Sequence, residues 1–345
     1  MNTGTPLNTA RSDDILVCPV CQQALPELAG ATNKRGQLQR RACAGNHSFD
    51  RAKQGYFNLL LVNQKRSLNP GDNLEMVRAR QQFLNGGYYE AIATAINTAL
   101  TAVLSTMKEQ AQAEQTAEHT QAEHTQAEHT QTEHTQTEQS TTQPLHIADS
   151  GCGEGYYTEF LSRHLTAANI NHRLYGIDIS RDAVRTACQR SKEIEWLVAS
   201  GSRLPFLPGS LDAIFSVFTP TMADRWPELL KPGAPVWLIT PAQQHLQELR
   251  QQIYTDVRTD SYDPADDMAK QGFERLTSSE YSSQVFIPAD ALPDLLTMTP
   301  HGWRITAEKR QQVLALNGLN VTLHVRISQF SVKPSDDLLA LPDNA

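Results

Sequence analysis

The stretch LHIADSGCGEGYYTEFL (145–161) runs from an apolar segment into a turn with glycine at 151, 153 and 155, then into helical spacing. A strand that breaks into a glycine turn and restarts as a helix brings backbone N–H groups to the carboxyl edge of a sheet, where ligands collect. The spacing is D-x-G-x-G-x-G from Asp149, unlike the G-x-G-x-x-G of dinucleotide sites. Glu154 inside the turn would repel a phosphate, so the ligand approaching this backbone is one without phosphate there. A second carboxylate, Asp178, closes the next apolar segment, in LYGIDIS, where it can take both hydroxyls of a ribose.

The rest of the C-terminal half keeps the same rhythm. Strands are expected at 145–150, 173–179, 194–200, 211–219 and 234–240, with helices at 156–166, 181–191 and 223–230. That alternation predicts an α/β fold with a parallel, doubly wound sheet. The stretch 241–280 reads as mostly helical, NVTLHVRISQF (320–330) as a late strand, and 335–345 as a loose tail. Small polar residues in WLVASGSRLPF (196–206) come after the third strand, where an adenine edge can sit. The turn Lys231-Pro232-Gly233-Ala234 precedes the fifth. These features together resemble the Rossmann-like class I S-adenosylmethionine methyltransferases, in which Gly151, Gly153 and Glu154 fall near the amino-acid part of the cofactor and Asp178 near its ribose.

The N-terminal region carries different chemistry. Cys18 and Cys21 form a C-x2-C pair, and Cys43 and His47 a C-x3-H pair. Three thiolates and an imidazole suit a tetrahedral zinc ion and leave no open position, so the metal is structural. The five cysteines, three of them before residue 44, favour a metal site over disulfides in a reducing compartment. Cys152 and Cys188 read as packed thiols. No run nears the roughly 20 apolar residues that span a bilayer, and the first residues lack a signal-peptide core. A cytoplasmic protein without membrane contact is the expectation.

The net charge of −8 hides an uneven distribution. Residues 109–144 hold seven Glu and no Lys, Arg or Asp, in a drifting AEHTQ repeat; without them the chain stands at −1. This polar segment predicts a disordered insertion, and its spaced histidines, 119, 124, 129 and 134, read as repeat expansion. Between Lys34 and Arg80 ten cationic residues face three acidic ones, an excess of +7 that suits either a phosphate backbone or a solvated surface. Residues 72–108 read as two helices, the first ending at Gly86-Gly87. The predicted organisation is a zinc-binding module at 1–62, a helical linker at 63–108, the insertion at 109–144 and the methyltransferase domain at 145–334.

CPVC, RACAGNH, the block FDRAKQGYFNLLLVNQKRSLNPGDNLEMVRARQQFLNGGYY (49–89) and DSGCGEGYYT together closely resemble the bacterial 23S ribosomal RNA (guanine-N1)-methyltransferases of the RlmA family. The resemblance covers nearly all of the chain except the repeat and the tails. It implies a zinc-ribbon-like module that contacts RNA, a homodimer with a basic cleft, and methyl transfer to N1 of a guanine in a hairpin loop of 23S ribosomal RNA. Cofactor contacts carry over to Tyr89, Gly153, Glu154, Asp178 and His245. Without the resemblance, Tyr89 reads as a packing aromatic and His245 as a surface helix residue. Phe218, Thr219 and Pro220 occupy the place where related enzymes grip the target base, although Phe218 reads equally well as core. Lys65 and Arg66, in a loop between module and helices, are candidates for RNA contact. Two other functions stay open: methylation of a small molecule or protein, with the zinc module serving dimerisation, and RNA binding without catalysis.

Overall fold

The computed structural model describes residues 14–28, 32, 39–64, 70–126, 143–255, 261–303 and 305–334. Lys65 and Arg66, the repeat from 127 to 142 and the tail from 335 lie outside them.

The N-terminal region forms a small antiparallel pair, β1 (Arg40–Ala42) and β2 (Ser48–Asp50), followed by β3 (Phe57–Asn58). Two helices come next, α1 (Leu74–Asn85) and α2 (Glu90–Gln126). Asn73 caps α1 by accepting from the Met76 N–H, and Gly86 ends it, as the expected stop requires.

The alternating part consists of β4 (Leu145–Ser150), α3 (Tyr156–Ala167), β5 (His172–Asp178), α4 (Arg181–Ala187), β6 (Glu195–Val198), β7 (Ala213–Val217), α5 (Trp226–Leu229) and β8 (Val236–Pro241). Then come α6 (Gln247–Ile253), α7 (Ala265–Lys270), β9 (Phe273–Pro288), α8 (Leu292–Met298), α9 (Ala307–Leu314) and β10 (Gly318–Val332).

Eight strands join in one sheet, in the order β3-β6-β5-β4-β7-β8-β10-β9. The first six run parallel, β10 runs antiparallel to β8, and β9 pairs antiparallel with β10 and so points the same way as the first six. Strands β7 and β8 are buried nearly throughout, as central parallel strands covered on both faces are, which is why they read as mostly apolar runs with Ser216 and Thr240 as the exceptions. The strand order reverses around β4, so the crevice at the carboxyl ends of β4, β5 and β7 is the natural ligand position.

Three expectations need correction. The stretch 241–280, expected to be mostly helical, holds among its described residues two short helices and the first half of β9. The Ser, Thr and Glu side chains of β9 stand exposed on an edge strand, so no apolar alternation marks it. The insertion, expected to be disordered from 109, instead begins as helix, because α2 runs on to Gln126. Its Ala, Gln and Glu are strong helix formers continuing a helix already nucleated upstream.

The third correction concerns the boundaries at 62 and 108, which do not separate two cores. Strand β3 pairs with β6, and the Val17 N–H donates to the Pro205 carbonyl at 2.9 Å. Leu16, Cys18, Leu25, Cys43 and Phe57 share one buried cluster with Leu197 and Phe206. Likewise Phe83, Leu84, Ile92, Ile96 and Leu100 of the expected linker pack into the same cluster as Ile147 and Leu161.

Candidate active site and metal centre

The turn after β4 is built by close approach. Gly151 sits at φ +85°, and a Cβ there would lie 2.4 Å from both Cγ2 and Oγ1 of Thr219. Only glycine lets the segment after β7 press against this turn, and the Thr219 hydroxyl completes the contact by donating to the Gly151 carbonyl at 3.2 Å. Asp178, at the end of β5, accepts from the Gly153 N–H at 2.9 Å and from the Ser180 N–H at 2.7 Å. Burial pushes its carboxyl up, against the pull of those two N–H groups.

Two further carboxylates lie under the turn. Asp149 is 1% exposed; its Oδ2 accepts from the Thr158 hydroxyl at 2.6 Å, while Oδ1 is buried without a partner among the described residues. Burial raises its pKa to about 7, opposed by the Thr158 bond and helped by Asp178. Glu154, equally buried, is ion-paired at 2.5 Å with Arg190, and its Oε1 has no partner among the described residues. Burial raises it despite Arg190. Buried carboxylate oxygens left unmatched are costly, and they mark a place that a cationic group fits.

An aromatic wall stands opposite. Phe218 occupies the left-handed region at φ +54°, a strained state for a non-glycine residue, often found at functional sites. Its ring lies 5.5 Å from that of His245, 6.1 Å from Tyr157 and 6.4 Å from Tyr89. Phe218 is half-buried at the edge of the core cluster, and Pro220 is exposed beside it. The Tyr157 hydroxyl is buried with no partner among the described residues. His245, in a turn before α6, accepts the His324 N–H on Nδ1 at 3.2 Å and faces the Tyr89 hydroxyl through Nε2 at 3.4 Å. Burial, reinforced by His301, lowers its pKa to about 3, so the ring is neutral with its proton on Nε2. With Nδ1 accepting a backbone N–H, Nε2 is the donor side, and the residue is half-buried in a turn rather than on a surface helix. Tyr89 is buried beside it, the position of the packing aromatic that the bare sequence suggests.

The metal ligands converge as the spacing predicts. One ligand atom from each of Cys18, Cys21, Cys43 and His47 lies within 4.8 Å of the others. The Cys21 and Cys43 sulfurs are 3.5 Å apart, and His47 Nδ1 is 3.4 Å from Cys43 Sγ. Sulfurs about 2.3 Å from a central zinc in a tetrahedron would be separated by comparable distances, so the set fits the ion.

The basic segment is less free than its count suggested. Arg41 is 1% exposed and bound to Asp14 at 2.6 Å and Glu27 at 3.1 Å; Arg51 meets Glu195 at 3.0 Å. Both guanidinium groups lie over the Phe57 ring. These cations fasten the module to β6. Among the described residues of the segment, Arg40, Lys53 and Arg78 are exposed, Arg40 in an ion pair with Asp50 at 2.6 Å. Sequence reasoning also missed Arg190, Thr158 and Tyr157, since no spacing marks a residue whose role is to meet the turn from another helix or from its own.

A glycine turn with acidic partners at the switch of a parallel sheet, joined through a shared core to a Cys3His cluster, defines a class I methyltransferase fold bearing a zinc ribbon. Its cofactors are S-adenosylmethionine and a structural zinc. Comparison with known families gives the same division: residues 16–68 match the domain described as RlmA, N-terminal, and residues 147–237 that described as methyltransferase domain. The two domains thus follow one another on a single chain, the first similar to the N-terminal domain of the RlmA proteins.

Similar curated proteins align along most of the length. A 23S rRNA (guanine(748)-N(1))-methyltransferase of Streptomyces fradiae is 25% identical over 90% of this chain and 94% of its own. Two proteins named "Putative 23S rRNA (guanine-N(1)-)-methyltransferase" come from Micromonospora griseorubida and Bacillus subtilis. They are 26% and 24% identical, over 91% and 90% of this chain and 96% and 94% of theirs.

Proposed function

We propose that this protein transfers the methyl group of S-adenosylmethionine to N1 of a guanine in a hairpin loop of 23S ribosomal RNA. The observation that carries the reading is the pairing of the RlmA zinc ribbon with the glycine turn on a single sheet, in a chain similar along nine-tenths of its length to proteins named for that reaction. Asp178 takes the ribose hydroxyls, and Gly151, Gly153 and Glu154 surround the amino-acid part. Tyr89 and His245 close over it, the imidazole Nε2–H donating.

The transfer is an in-line displacement from a sulfonium, so catalysis is mostly positioning. Phe218, supported by Tyr157, stacks on the target base, and the backbone around Thr219 and Pro220 holds its edge. A loop guanine is cheaper to extrude than one in a duplex. With His245 neutral and already a donor, the N1 proton leaves to solvent once alkylation has made it acidic. Zinc holds the N-terminal module in shape, and that module, with Lys65 and Arg66, contacts the RNA. We further propose that the protein works as a homodimer in the cytoplasm; among the described residues no helix is long and apolar enough to cross a membrane.

The test is methyl transfer from labelled cofactor to large-subunit RNA hairpins, read as a reverse-transcription stop at the modified guanine. Asp178→Ala should lose cofactor affinity by about 1.5–3 kcal/mol, the range for a hydrogen bond to a charged group. Methylation of a small molecule or a protein, with no RNA product, would refute the assignment.

A further inference from the structure

The block PGD…EM…AR that precedes and opens α1 has no part in the mechanism above, yet it lies against the glycine turn. Gly71, at φ +81°, would place a Cβ 2.9 Å from that of Ser180, so only glycine lets this turn close on the end of β5. The Ser180 hydroxyl donates to the Asp72 carbonyl at 2.7 Å and fixes it there. The Asp72 carboxylate in turn binds Arg80 Nη1, while Arg80 Nη2 donates to the Met298 carbonyl at 3.2 Å. Held from both sides, the guanidinium reaches over the turn: a Cβ on Gly153 would lie 3.8 Å from Nη1.

The charges around this position are lopsided. Asp72, Asp149, Glu154 and Asp178 are acidic and face the turn from three elements. The cations beside it, among the described residues, are Arg190 and Arg80. Arg190 is 11% exposed and committed to Glu154 and to Asn85. Arg80 keeps 26% of its side chain exposed and acts electrostatically on Glu154, Asp178, Tyr89 and Tyr157. A ligand with an ammonium and a carboxylate on one carbon needs both signs. The carboxylates satisfy the first, and a planar guanidinium, which matches a carboxylate with two parallel N–H groups, satisfies the second.

We propose that Arg80, aimed by Asp72 and the Gly71 turn, is the recognition group for the α-carboxylate of the methyl donor. This rests on the methyltransferase reading and deepens it. It makes α1 a wall of the cofactor site, and it explains why the chain presses a rigid P-G-D turn against β5. An arginine that merely tied α1 to α8 would serve the fold and leave ligand choice untouched.

Calorimetry with two nucleosides separates these roles. S-adenosylhomocysteine carries the amino-acid part; 5′-methylthioadenosine keeps the adenosine and thioether without it. Arg80→Met should weaken S-adenosylhomocysteine by about ten- to a hundredfold, the range for a lost charge-assisted bond, and leave methylthioadenosine unchanged. Arg80→Lys, which keeps the charge without the fork, should show a smaller but equally selective loss, and it serves if the methionine variant does not fold. Equal weakening of both ligands, or of neither, overturns the proposal while the methyltransferase reading stands. A wild-type protein that binds neither nucleoside overturns both.

Discussion

Replacing Gly151 with alanine tests how the site is built. The residue sits at φ +85°, where a Cβ costs about 1–2 kcal/mol. The new methyl would also meet Thr219 at 2.4 Å, well inside contact, so the threonine must swing away and give up its bond to the Gly151 carbonyl, worth about 1 kcal/mol. The sum is about 2–3 kcal/mol for Gly151→Ala. Because the displaced segment carries Phe218, the aromatic wall should shift as well, and S-adenosylhomocysteine binding should weaken. Urea unfolding followed by tryptophan fluorescence suits the measurement, since Trp196 and Trp237 are buried in the same core cluster. Adding Thr219→Gly should recover the steric part and leave the backbone strain, giving a positive coupling in the double-mutant cycle. A single variant within about 0.5 kcal/mol of wild type, the range of surface substitutions, or a cycle without coupling, would refute the close-approach argument.

Cys43→Ser should lose the zinc by elemental analysis and also lower the melting temperature of the whole chain, because Cys43 shares a buried cluster with Leu197 and Phe206; full zinc retention would refute the ligand set. Asp149 has a folded pKa of about 7, above its unfolded value near 4, so its protonated form contributes stability that is complete below about pH 4 and lost as pH rises through 7. A cationic cofactor favours the anion, so binding should release a proton near neutrality; calorimetry in buffers of different ionisation enthalpy should show that release in wild type and not in Asp149→Asn. Replacing Lys65 and Arg66 together with alanine should flatten the salt dependence of RNA binding by up to about two units in a filter assay, with cofactor affinity unmoved; an unchanged slope would mean that neither meets a phosphate.

Much of the sheet was legible because strands buried on both faces are mostly apolar, as 213–217 and 236–241 are apart from Ser216 and Thr240. The metal set was legible because C-x2-C and C-x3-H are short-range constraints that survive without knowledge of the fold. Strand β9 was not, since an exposed edge strand built from Ser, Thr and Glu has no apolar period to read. Nor was the fate of the basic segment. Arg41 finds Asp14, Glu27 and Glu195 only after folding, and a count of charges cannot tell a buried clamp from an open surface. Arg80 and Asp72 flank the start of one helix eight residues apart, and only the turn at Gly71 reveals why.

Methylation of the ribosomal RNA itself is read most directly from a map of N1-methylguanine in 23S ribosomal RNA from cells with and without the gene. One reverse-transcription stop in a hairpin loop should disappear on deletion and return with the wild-type gene but not with Asp178→Ala. Identical maps in the two strains would contradict the assignment of this chain as the guanine-N1 methyltransferase.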